Sequence, residues 1–434
     1  MKLDLSTPQY HFHISQWFVG AQMLFVAFGA LVLVPLLTGL DPNVALFTAG
    51  LGTLIFQLVT RGKVPVFLGS SFAFIAPIIA AKEQWGMAAT LGGLAAAGLV
   101  YVVISFLVRI KGSAWLEHYL PPVLTGPIIM VIGLILAPVA VNLALGKTGD
   151  GTGKLFDQGP AIALAAISLG TTVLLAIKGK GLLRVVPILG GAAVGYVAAI
   201  IMTQAGIANL VDFSPISKAA LVSVPAFVFP EFRLEPILFM LPVALAPAIE
   251  HFGDIIAISN VTGKDYLKDP GVENTMLGDG LATSAAALLG GPPNTTYSEV
   301  TGAVTLTKAF NPAIMTWAAL WAIALSFVGK LGAVLQTIPT PVMGGILMLL
   351  FGAITVVGIN TLVRAQEDLT KPRNLAIVAL ILVVGIGNLK LSVGSFALGG
   401  IGLAALVGLA LHLLLPGRRR WSEVKAELEE KGEA

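Results

Sequence analysis

The stretch GGPPNTTYSEVTGAVTLT, residues 290–307, decides how the chain is read. It lies between apolar segments, yet it carries two prolines, three glycines, a run of hydroxyls and the carboxylate of Glu299. Pro292 and Pro293 have no amide donor, and Gly290 and Gly291 loosen the backbone, so an unbroken membrane helix is excluded. Irregular backbone survives at membrane depth only where protein or a polar cavity surrounds it, which makes this break a candidate binding site by position alone.

The composition supports a membrane setting. Of 434 residues, 56% are hydrophobic and 11% charged, and the mean hydropathy of +0.90 leaves too little polar surface for a soluble fold. Apolar stretches of about 20 residues recur along the chain, the length of a bilayer-spanning helix. The alternating ten-residue strands of a membrane barrel are missing. The chain has no cysteine, which excludes disulfides, thiolate metal sites and a cysteine nucleophile. No cleaved signal peptide is read at the N-terminus; the first span is itself the insertion signal.

Spans are expected at 17–38, 43–60, a short one at 66–80, then 87–110, 121–144, 160–178 and 182–204. A polar interval, 209–233, precedes a second set at 234–259, 273–290, a short one at 296–308, then 312–335, 341–363, 374–388 and 392–416. This is an all-α polytopic membrane protein of 14 segments, seven plus seven. The third segment of each set, VPVFLGSSFAFIAP at 64–77 and the opening stretch, is short and broken, as an internal repeat requires. PPVLTGPIIMVIG from Pro121 also aligns without gaps on TPVMGGILMLLFG from Thr340, placing Pro122, Val123, Gly126 and Gly133 on Pro341, Val342, Gly345 and Gly352. An odd number of spans per repeat makes the two copies inverted.

With both termini cytoplasmic, nineteen Lys and Arg fall on the cytoplasmic side and seven on the other, accounting for all 26. The sequence pI near 9.0 is therefore topology plus attraction to anionic membrane lipid, not nucleic-acid binding. The last residues, WSEVKAELEEKGEA, are at most a short charged helix.

Ionisable side chains inside spans are costly and functional by default. Glu250 and Asp254 are four apart and share a helix face, with Glu299 beside the break. Three buried carboxylates cannot all be ionised without high cost, so at least one is expected to hold a proton. His251, turned about 100° away on the helix, reads as a packing residue, and Asp279 as a tie between helices. Asn294, Thr295 and Thr296 are expected to satisfy the backbone around the break. Phe72 and Tyr297 are either core aromatics or faces for a ligand. Half-helix N-termini offer N–H groups to carbonyl oxygens, while the carboxylates accept N–H donors. A small planar molecule with alternating N–H and C=O groups, such as a nucleobase, meets both demands; a simple anion does not.

FGALVLVP at Phe28, GKVPVFLGSSFAF at Gly62, IEHFGD at Ile249, KDPG at Lys268, PNTTYSE at Pro293 and PVMGG at Pro341 occur in the order and spacing of one family. Through them the whole chain resembles the nucleobase and ascorbate transporters, and within these the bacterial uracil permeases. The resemblance implies short strands and half-helices in segments 3 and 10, and a core domain of segments 1–4 (1–118) and 8–11 (234–337). It implies a gate domain of segments 5–7 (119–233) and 12–14 (338–417), with a cytoplasmic tail at 418–434. It further implies a symporter rather than an enzyme, in the bacterial inner membrane, moving a base with protons or sodium by alternating access, with no other cofactor and no bound metal, and a homodimer through the gate domains. Carried onto this sequence, Glu250 and Glu299 hold the base. Phe72, Ser71, Tyr297 and Ser298 meet it with main chain or ring face, Ala30 and Phe351 line the pocket, and Glu250 with Asp254 handles the proton. Uracil permeases usually have histidine at Asp254, Gly-Glu-Asn where Ser298, Glu299 and Val300 stand, and tyrosine at Phe351. Glu299 favours uracil, whereas Asp254 points to the oxopurine branch, with xanthine as the alternative. An anion transporter of the related sulfate-transporter fold and an intramembrane hydrolase are the other readings; the acidic site argues against the first and the matched breaks against the second.

Overall fold

The computed structural model describes residues 7–112, 114–180, 182–393 and 396–417; the C-terminal segment expected as a short helix lies outside them. The chain enters α1 (Trp17–Thr38) and α2 (Pro42–Val59), then passes through β1 (Leu68–Ser70) and a single turn, Phe72–Phe74, into the half-length α3 (Ile75–Trp85). Next come α4 (Met87–Lys111), α5 (Ala114–Tyr119), α6 (Pro122–Ala144), α7 (Gln158–Lys178), α8 (Leu182–Val185), α9 (Pro187–Gln204) and α10 (Ser214–Lys218). The chain continues through α11 (Leu234–Met240), α12 (Leu245–Thr262), α13 (Val272–Leu288), β2 (Asn294–Thr296), the half-length α14 (Ser298–Thr307), α15 (Ala313–Ser326) and α16 (Gly329–Gln336). It closes with α17 (Thr340–Arg364), α18 (Pro372–Ile386), a hairpin of β3 (Lys390–Val393) and β4 (Phe396–Gly399), and α19 (Gly400–Leu414). Among the described residues seven helices are long and apolar enough to cross a membrane, and the bent pair α11/α12 makes an eighth.

Local chemistry sets these boundaries. Proline starts α2, α6, α9, α17 and α18, where its missing N–H costs nothing. Asp41 caps α2 by accepting from the amides of Asn43 and Val44 at 2.7 and 3.1 Å. The two copies of the repeated proline motif begin α6 and α17, which pack along one another. A methyl group on Gly133 would run into the Phe351 carbonyl, so this crossing needs a residue without a side chain. At the N-terminus the indoles of Trp317 and Trp321 donate to the carbonyls of His13 and Trp17 at 3.1 and 2.9 Å, tying the chain entry to α15.

Four expected spans differ from the structure. Segment 182–204 is interrupted at Val186, ahead of Pro187, between α8 and α9. Segment 234–259 is bent by 40° between α11 and α12, at a turn containing Pro242. Segment 312–335 divides into α15 and α16. There the 209–233 interval reaches in, with Val222 bridging Val328 and the amide of Ser223 donating to the Phe327 carbonyl at 2.9 Å. The last segment begins at Gly400 instead of residue 392, because residues 390–399 pair as a hairpin with Lys390 opposite Gly399. Hydropathy does not encode these features, because they depend on which segments meet in the fold.

The two expected breaks do form strands, and the strands pair with each other. β1 lies antiparallel to β2 in the register Leu68 to Thr296, Gly69 to Thr295 and Ser70 to Asn294. Backbone groups left over are met by side chains and by the other break. The Leu68 amide donates to Thr53 Oγ1 at 2.9 Å, the Ser71 amide to the Pro293 carbonyl at 2.9 Å, and the Asn294 carbonyl accepts from Thr283 Oγ1 at 2.6 Å. Thr53→Val keeps the shape but strands the Leu68 amide. It is expected to cost about 1–3 kcal/mol, read as a lower unfolding temperature in detergent that Thr53→Ser restores.

Candidate functional site

The strand crossing brings both broken segments to one place. α3 and α14 start immediately beyond it, and α12 lies against β2 with Glu250 and Asp254 on the facing side. Between them is a small opening of about 80 Å3 bordered by Ser70, Phe72, Glu250, Tyr297, Glu299 and, from α17, Leu350. Glu250 and Glu299 are each half-buried, on different helices, and face the same space. Two acceptors with an aromatic ring beside them suit a flat ligand carrying N–H donors.

The lining has a physical cause at each point. Gly69 is required because Tyr297 packs onto it: a methyl there would sit 2.7 Å from Tyr297 Cε2. Phe72 meets Phe351 edge to face, ring centres 6.3 Å apart and planes at 85°, so the ring is held against α17. The hydroxyls of Ser70 and Tyr297, which border the opening, are buried with no hydrogen-bond partner among the described residues, and are thus free to bind polar atoms of a ligand.

Of the residues singled out in the sequence, Glu250, Glu299, Phe72 and Tyr297 border the opening. Phe351 stands behind Phe72, and Ser71 is spent at the strand end through its amide. The side chains of Ala30 and Ser298 lie outside the described residues. Asp254 does not border the opening. It is buried behind β2, where its Oδ2 accepts from Thr296 Oγ1 at 2.8 Å. Asn294 ties the break to α2, its side-chain amide donating to the Thr48 carbonyl at 2.8 Å, while Thr296 turns to Asp254 instead of to the backbone of the break.

Sequence reasoning missed the far wall, where Ile129 of α6 and Leu350, Ala353, Ile354 and Val357 of α17 enclose the opening. Aliphatic residues carry no chemical signature, and only the repeated proline motif hinted that these helices approach. Also missed was a second opening of about 220 Å3 across α14, bordered by Glu299, Gly302, Arg184 and Pro187. Glu299 stands on both.

Residues 15–394 match the model of the permease family (Xan_ur_permease). A probable uracil permease of Haemophilus influenzae is 54% identical over 403 residues, covering 93% of this chain and 95% of the relative. The uracil permease of Bacillus caldolyticus is 42% identical over 418 residues, covering 94% of each. Among solved structures, the transmembrane domain of the cyanobacterial bicarbonate transporter BicA superposes with a TM-score of 0.63 over 93% of this chain and 98% of that one. At 15% identity, that likeness is one of fold. With the family model spanning most of its length and relatives named as permeases, not enzymes, the chain belongs to the permease family of nucleobase and ascorbate transporters that its motifs resemble.

Proposed function

We propose that this protein is a proton-coupled uracil symporter of the bacterial inner membrane. The observation that carries the reading is the pair Glu250 and Glu299, brought from two helices to one small opening beside Phe72. The names of its relatives support uracil as the cargo. So does the displacement of Asp254, the residue that spoke for an oxopurine: it is engaged with Thr296 behind the strand and does not border the opening.

In this reading the imide and amide N–H groups of uracil donate to the two glutamates, its carbonyls meet amides and the free hydroxyls at the strand crossing, and Phe72 covers the ring. A proton on Glu250 relieves the repulsion between the acids and lets the base bind; its loss on the cytoplasmic side lowers affinity and releases the base. The loop carboxylate of Asp150 is unsuited to this work. Hydrogen bonds from Thr148 and then Thr152 hold the Asp150 carboxyl down to about 2, so it stays ionised at every physiological pH.

Alternating access is assigned to the core domain (1–118 with 234–337) moving against the gate domain (119–233 with 338–417), as two inverted repeats of seven segments. The matching half-helices support this division. The largely apolar, outward-facing surfaces of α7 and α9 suit lipid or a second copy at the gate side. The excess of Lys and Arg at one side supports cytoplasmic termini.

The test is uptake of labelled uracil into proteoliposomes under an inward proton gradient, with thymine, xanthine and adenine as competitors. Accumulation is expected to collapse with a protonophore, to survive replacement of sodium by choline, and to yield to thymine but not xanthine. Competition by xanthine without uracil accumulation would overturn the substrate assignment.

A further inference from the structure

Behind β2 lies a polar group that the binding reading does not use. His251 of α12 and Asp279 of α13 are both fully buried, with His251 Nδ1 3.3 Å from Asp279 Oδ2. The hydrogen bonds around them fix where protons sit. Thr275 spends its hydroxyl proton on the Val272 carbonyl at 3.1 Å, so its oxygen accepts from His251 Nε2 at 3.1 Å. Thr296 spends its own on Asp254 at 2.8 Å. His251 Nδ1 then faces two oxygens, Asp279 Oδ2 and Thr296 Oγ1 at 3.4 Å, neither of which has a hydroxyl proton to give it. A bare nitrogen lone pair against those oxygens is repulsive, so a proton must sit between the ring and Asp279.

We infer that His251 and Asp279 hold one proton between them, and that the Thr296 hydroxyl links this pair to Asp254 as a proton relay behind the binding strand. When Asp254 is ionised, Thr296 donates to it, and the pair is neutral overall as imidazolium with carboxylate or imidazole with acid. When Asp254 takes up a proton, its new O–H donates to Thr296 Oγ1. The Thr296 hydroxyl turns to donate to His251 Nδ1, and the proton held there settles on Asp279. One proton has been added, and the only bonds changed are O–H and N–H. The other groups facing the pair are Glu250 on α12, Tyr101 on α4, Thr295 on β2 and the ring of Phe56, which meets His251 edge-on at 6.3 Å. Glu299 faces Glu250 from α14.

Thr296 belongs to the strand that pairs with β1 and borders the opening, so a turn of its hydroxyl ties the protonation state to the element beside the base. Thr296, His251 and Asp279 are thus positioning residues for coupling. The inference rests on the proton-coupled reading above.

The test uses the full chain in liposomes with a trapped pH dye, measuring uracil-driven proton entry, gradient-driven accumulation and uracil exchange at equal pH. Thr296→Val and Asp279→Asn are expected to lower proton entry and accumulation by about tenfold or more, while in Asp279→Asn, whose site lies away from the opening, exchange falls by less than about threefold. They should also flatten the pH profile of uptake, and Thr296→Ser should regain most of the accumulation. Wild-type coupling in Thr296→Val, no rescue by Thr296→Ser, or equal loss of exchange and accumulation in every variant would each overturn the relay. Accumulation by the unmutated protein with no proton entry would overturn the proton-coupled reading, and the relay with it.

Discussion

Glu250→Gln protein in liposomes is expected to lose proton-driven uracil accumulation by about a hundredfold while still exchanging uracil across a membrane at equal pH. Glutamine keeps the length of the side chain and an acceptor for the base, but it is fixed in the neutral state that the proposed cycle visits only when protonated. Binding should therefore survive, weakened by the loss of a charge-assisted bond in any step where Glu250 is ionised. The affinity of the unmutated protein should fall as pH rises, because the neutral carboxyl is the form that tolerates Glu299 nearby; in the variant the affinity should no longer depend on pH. Labelled-uracil counterflow across a pH series separates the two effects. Undiminished accumulation in the variant would remove Glu250 from coupling.

Glu299→Ala is expected to weaken uracil binding by about ten- to a hundredfold, the loss of one hydrogen-bonded charged acceptor in a small enclosed site. The effect should appear in competition assays at every pH, unlike that of Glu250. Glu299→Gln is the more informative change. Glutamine presents both a donor and an acceptor where the carboxylate only accepts. Its expected result is a loss of uracil binding with a relative gain for xanthine, read as the ratio of the two inhibition constants. Because Glu299 also borders the larger opening that contains Arg184, its replacement should slow release as well as weaken binding. Pre-steady-state efflux would show this as a longer lag.

Much of this was readable from the chain alone. The breaks at residues 64–77 and 290–307 follow from proline and glycine chemistry and appear as β1 and β2, each leading into a half-length helix. Glu250 and Glu299 stood out because an acid in an apolar segment has few reasons to be there, and both border the opening. The boundaries of α6 and α17 follow from the repeated proline motif.

Local pattern could not show which of these residues would meet. The pairing of Leu68 with Thr296 joins positions more than two hundred residues apart, and no periodicity encodes it. Asp254 shares a helix face with Glu250, yet the crossing of β2 leaves one acid at the opening and puts the other behind the strand against Thr296. His251 and Asp279, which by sequence are a packing residue and a helix tie, become a proton-holding candidate only once α12 and α13 are side by side. The sequence by itself determined the membrane class, the broken segments and the acids worth watching, because composition, proline and buried charge act locally. The tertiary structure alone decided which acid borders the opening, which hydroxyls are free and which protons are shared, because these depend on distances between segments that only packing sets.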